Sequence, residues 1–75
     1  MFTIIDLTKL NLTELSALFV MTYRSIPKMS HNGCEIIIAE MIANAGGVEA
    51  RAELKRNGIK DNTIDYYIYI LNMGK

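Results

Sequence analysis

The sequence predicts an all-α fold, a single compact domain of four helices spanning residues 1–75, with a short extended arm at the N-terminus. Three observations carry that prediction. Leu12, Leu15, Phe19, Tyr23 and Ile26 recur at three- and four-residue intervals, the repeat that lines one face of a helix turning every ~3.6 residues. Asn11 stands three residues before Glu14, the spacing at which side chain and backbone cap one another at a helix start. Gly46-Gly47 and Gly58 then divide the remaining apolar sequence into segments of helical length.

The elements follow in order. Met1-Phe2-Thr3-Ile4-Ile5 is too short for a helix and β-branched, so it reads as an extended arm or edge strand. The first helix starts after Asn11 and ends at Pro27, which cannot continue it. Lys28 to Gly33 is turn-like, with Ser30 or Asn32 available as a cap. Cys34 to Ala45 is an apolar helix with Ile37, Ile38, Met41, Ile42 and Ala45 inward, ended by Gly46-Gly47. A third helix covers about residues 48–57 and stops at Gly58; Ile59 pins the turn to the core. The fourth covers about residues 62–72, with Asp61 or Asn62 as N-cap, Asp65 in the first turn where the helix dipole favours a carboxylate, and Ile64, Tyr67, Ile68 and Leu71 inward.

The last segment admits an alternative. Tyr66-Tyr67-Ile68-Tyr69-Ile70 has high strand propensity. Residues 66–71 pairing with residues 2–5 in a two-stranded ribbon would make the fold α+β. The caps and the stripe of Ile64, Ile68 and Leu71 favour the helix.

Composition excludes several classes. Hydrophobic residues make up 51% of the chain, too many for a disordered one. No apolar run approaches the ~20 residues needed to span a bilayer, and no basic segment precedes a long apolar one as in a signal peptide. With a single cysteine, Cys34, no internal disulfide forms, which points to a reducing compartment and a cytoplasmic protein; Cys34 itself reads as a small buried hydrophobe. Eight Lys plus Arg balance eight Asp plus Glu, for a formal net charge of zero. Proteins that hold nucleic acid unaided usually carry a basic excess, because phosphate neutralisation supplies much of the affinity. The charges are nonetheless clustered: Arg51, Lys55, Arg56 and Lys60 fall close together around the third helix, interrupted by Glu53.

The C-terminal third, helix–Gly58–Ile59–helix, has the skeleton of a helix-turn-helix. Together with the apolar helix Ile36 to Ala45, the Gly-Gly link, Glu53-Leu54 before Gly58-Ile59, Thr63-Ile64 opening the last helix, and Leu71 three residues before Gly74, the segment 35–74 resembles the three-helix core of winged-helix transcription regulators. Two features depart from that pattern: the interval from Leu54 to Gly58 is one residue short, and the sequence stops at Lys75, where the β-wing would begin. The resemblance implies DNA binding, with Lys60, Asn62, Thr63, Tyr66 and Tyr69 presented by the recognition helix and Arg51, Lys55 and Arg56 beside it.

Chemically, Asn62 suits adenine, Thr63 a phosphate or thymine methyl, and Tyr66 and Tyr69 stacking or phosphate contacts, whereas Asp61 and Asp65 would repel phosphate. The same tyrosines suit a protein partner, since tyrosine is enriched where interfaces concentrate their energy. Catalysis finds no support. His31 lies three residues before Cys34 in a turn without an orienting third group, and Asp61 with Asp65 lacks a pocket. One His and one Cys do not make a zinc site, and no cofactor motif is present. The first expectation is therefore a dimeric helix-turn-helix regulator or accessory protein acting at DNA, not an enzyme. The alternative is a protein-binding modulator or inhibitor that uses the surface around Tyr66 and Tyr69.

Overall fold

The computed structural model describes residues 7–25 and 32–73. Within them the chain forms a 3-10 turn at Leu7–Lys9, which the periodicity does not predict, followed by α1 (Leu12–Ser25), α2 (Cys34–Ala45), α3 (Gly47–Arg56) and α4 (Asp61–Met73). The fold is all-α with four helices, and no strand occurs among the described residues. Residues 66–71 are helical, which removes the ribbon alternative. Its other half, residues 2–5, and the N-terminal arm lie outside the described residues, as do Ile26, Pro27, Ser30 and His31.

Local chemistry fixes the helix ends. The Glu14 N–H donates to Asn11 Oδ1 at 2.8 Å and the Asn11 N–H donates to Glu14 Oε1 at 3.0 Å, the reciprocal cap expected for α1. The N-cap position of α2 is Gly33, not Asn32 or Ser30 as the sequence suggests; Asn32, one residue earlier, accepts from the Cys34 N–H through Oδ1 at 3.0 Å. Gly46 serves two helices at once: its N–H donates to Ile42 O at 2.7 Å, ending α2, and its carbonyl accepts from the Ala50 N–H at 3.0 Å, starting α3. At the far end of α3 the Gly58 N–H donates to Lys55 O and the Ile59 N–H donates to Leu54 O, each at 3.0 Å. This paired closure needs a left-handed residue, supplied by Gly58 at φ 90°. It also carries Ile59 back into the core beside Leu54.

α2 is the central helix, packed against α1, α3 and α4, while α3 also touches α1 and α4. Its buried Cys34, Ile37, Ile38 and Met41 meet Leu15 and Phe19 of α1, Ala50 and Leu54 of α3, and Ile64, Tyr67 and Ile70 of α4. Ser16 is the one buried polar side chain among the described residues, and its hydroxyl accepts from Asn57 Nδ2 at 2.9 Å, tying α1 to the end of α3.

Two expectations for α4 change. The helix begins at Asp61, and the Lys60 carbonyl accepts from the Thr63 and Ile64 N–H groups, each at 3.1 Å, so neither Asp61 nor Asn62 is the N-cap. Ile70 is buried, whereas Ile68 and Leu71 are only half-buried. The buried arc runs through Ile64, Tyr67 and Ile70 toward α2 and the α1 rings, which leaves Ile68 at the α3 edge.

Candidate functional site

The Gly58 turn joins α3, which carries Arg51, Lys55 and Arg56, to α4, which carries Asn62, Thr63, Tyr66 and Tyr69, with Lys60 between them; the cations of α3 and the tyrosines of α4 lie on different faces. The basic cluster does not form a free cationic patch. Arg51 reaches across to α4 and donates to Asp61 at 2.9 Å and to Asp65 at 2.6 Å, while Lys55 pairs with Asp61 at 3.0 Å. Arg56 pairs with Glu53 one turn earlier on its own helix. Lys60 has no ion pair among those of the described residues.

Mutual pairing is visible in the acidities. Asp65 first, then Asp61, holds the Arg51 guanidinium charged above its ordinary range; Lys55 first, then Arg51, holds the Asp61 carboxyl below its own. Asp61 and Asp65 thus face α3 and pair with Arg51 and Lys55, two of the four cations that the sequence offers to phosphate. Residues 51 and 61 lie ten positions apart and 51 and 65 fourteen apart; no local spacing rule reports such a pair, since the turn geometry alone decides it. Opposite charges flanking a predicted turn were the only signal.

Asn62, Tyr66, Tyr69 and Met73 follow one another at helical intervals on the side of α4 away from the core. Tyr66 is 41%, Tyr69 61% and Met73 65% exposed. Met73 extends the predicted Tyr66/Tyr69 pair into a stripe. The Tyr66 ring rests edge-on against Tyr67, with centroids 5.2 Å apart, so it is held in place while its other face meets solvent. Thr63 is half-buried and Lys60 exposed at the start of the helix, beside a cleft bordered by Tyr23 of α1.

Beneath this face lies an aromatic cluster of Tyr67, Phe19 and Tyr23. Tyr67 is buried, edge-on to Phe19 at 5.5 Å and to Tyr23 at 6.3 Å, and its hydroxyl accepts from Asn32 Nδ2 at 2.9 Å. Burial pushes the Tyr67 hydroxyl up to about 12. The Cys34 thiol is also fully buried, lies 3.8 Å from the Phe19 carbonyl oxygen, and is pushed up to about 11 by that burial. It is a packed hydrophobe, as expected, and the thiolate needed for nucleophilic chemistry is suppressed.

On another side of α3, Val48, Ala52 and Ile68 together with Arg51, Lys55 and Arg56 line an open groove of about 740 Å³. Among the described residues no cluster of three or more His, Cys, Asp or Glu could hold a metal ion, and no helix is long and apolar enough to cross a membrane. Comparison with protein-family models, curated proteins and solved structures returned no match.

Proposed function

We propose that this protein is a small interaction module that docks a protein partner on the outward face of α4, with Tyr66 and Tyr69 as anchors. One observation carries the reading: Tyr66, Tyr69 and Met73, with Asn62 at the start of the row, form an exposed and largely apolar stripe, whereas Arg51, Lys55 and Arg56 are each paired with a carboxylate and Lys60 alone of the four cations is not. Rigid amphipathic rings gain contact area at low entropic cost and concentrate interface energy. The fitting partner is a protein surface with an apolar pocket and hydrogen-bond donors or acceptors for two phenol groups. The single buried thiol suits a reducing compartment and hence the cytoplasm. We further expect a homodimer, because Val48, Ile36 and Met21 remain exposed on other faces.

Site-specific photocrosslinking tests this. A photoreactive residue at position 69 should trap one defined protein in the source cell, and one at Thr13 on α1 should not. Tyr66→Ala and Tyr69→Ala should each weaken the purified pair by ~2 kcal/mol, about thirtyfold. No position-specific adduct, or one indifferent to both tyrosines, rejects the reading.

A second reading, a helix-turn-helix protein acting at DNA, is favoured by the placement of Lys60, Asn62, Thr63, Tyr66 and Tyr69 after the Gly58 turn. It requires Arg51, Lys55 and Arg56 to exchange their carboxylate partners for phosphates. Duplex affinity at about 50 mM salt whose salt slope drops by about one unit in Lys60→Ala would support it.

A further inference from the structure

We propose that a second copy of this chain occupies the groove between α3 and α4, with the two α3 helices antiparallel about a two-fold axis beside Ala52. This rests on the homodimer expected above and assigns it a face and a register.

Val48 is the most exposed of the large hydrophobics among the described residues, at 81%, and it lies at one end of a groove whose other apolar lining is Ala52 and Ile68. A side chain of that kind, left in water beside an apolar trough, gains by entering a matching surface. What identifies the occupant is the charge order along α3. Glu49 stands in its first turn and Lys55 and Arg56 in its last. Glu49 and Arg56 are seven residues apart, about two helical turns, and so share one flank of the helix.

An antiparallel copy centred between positions 52 and 53 sets Glu49 of each protomer opposite Arg56 of the other, twice by symmetry. A parallel copy would oppose like charges. Glu49 is exposed and has no ion pair among those of the described residues, while the Arg56 side chain is 65% exposed even with Glu53 beside it. Arg51 and Lys55 keep their own carboxylates, Asp61 and Asp65, and the charges are therefore complementary in one orientation along the flank of α3 that carries Glu49 and Arg56. At its centre Ala52 is small enough for the two backbones to approach, with Val48 of each copy against the last turn of its partner. The stripe of Asn62, Tyr66, Tyr69 and Met73 points away from Ile68, so such a dimer leaves both α4 faces free for a partner.

Sedimentation equilibrium on the full chain tests the assignment. Wild-type mass should rise from monomer to dimer between about 1 and about 200 µM. Val48→Asp, a change at an exposed site, should weaken association at least tenfold while leaving the helical circular dichroism intact. Glu49→Arg and Arg56→Glu should each weaken it, and the double exchange should restore it. Ala52→Cys should form a disulfide-linked dimer on mild oxidation, and Thr13→Cys should not. A monomer at every concentration overturns the proposal and the homodimer with it. A dimer indifferent to Val48→Asp and to both charge reversals overturns the assigned face while leaving a homodimer in place, and failure of the double exchange to restore association overturns the antiparallel register. Photocrosslinking through position 69 is independent of all three outcomes.

Discussion

Replacing Leu54 with alanine probes the joint on which the whole α3–α4 arrangement depends. Leu54 is 0% exposed, and its carbonyl accepts the Ile59 N–H that closes the Gly58 turn. The substitution removes three methylene-sized groups at about 0.8 kcal/mol each, or ~2.4 kcal/mol of transfer free energy. A residual cavity adds to this, because Ile59 and Ala50 are held by backbone on either side and collapse only partly; the expected loss is ~3–4 kcal/mol. A chain of this length has a total stability of roughly 4–11 kcal/mol. At about 4–8 °C per kcal/mol, the melting temperature should fall by at least ~12 °C. Thermal unfolding followed by circular dichroism at low protein concentration measures this directly. Met21→Ala, at a position 66% exposed, serves as the control and should stay within ~0.5 kcal/mol of wild type. A Leu54→Ala protein that melts within two or three degrees of wild type, with the control equally unaffected, would refute the inward placement of this side chain and the closure built on it.

Three further outcomes are expected. Gly58→Ala should cost about 1–2 kcal/mol through its left-handed backbone alone, since no atom lies within 4 Å of the added methyl; unchanged urea stability would contradict the closure. Asn11→Ala should lose ~1 kcal/mol by removing one half of the reciprocal cap, and amide exchange should accelerate in the first turn of α1 and nowhere else. For Cys34 burial raises the folded-state pKa above the ordinary value of 9.0, making the thiol a weaker acid, so its contribution to stability is fully present below that pH and is lost as pH climbs through about 11. A thiol reagent at pH 8 should therefore leave the native protein unmodified and react on denaturation, whereas rapid labelling of the native protein would show the thiol to be accessible.

The sequence by itself determined the helical character of the chain and where most of the helices end. The Asn11–Glu14 cap, the Gly46 junction and the Gly58 stop are each decided by atoms within a few residues of one another, and such local chemistry is written directly in residue order. The centre of each core stripe was legible for the same reason: Leu15 and Phe19 of α1 and Ile37, Ile38 and Met41 of α2 are buried as expected, whereas Leu12, Tyr23, Ile42 and Ala45 at the stripe edges are only half-buried and Ile26 lies outside the described residues. The fourth helix was legible only as a balance, since its tyrosines and isoleucines suit a strand equally well; its packing against the α2 core decides for the helix.

Which side of α4 faces inward, and what its carboxylates do, belonged to the tertiary structure alone. Ile70 is buried in the core shared with α2 in place of Ile68, which borders the open groove beside α3, and helical periodicity fixes a stripe without saying where its neighbours stop. Asp61 and Asp65, read as cap and dipole partner, instead hold Arg51 and Lys55 across the turn. Coulombic pairing between side chains ten and fourteen residues apart depends on distance in space, and only the folded chain brings those groups to within 3.0 Å.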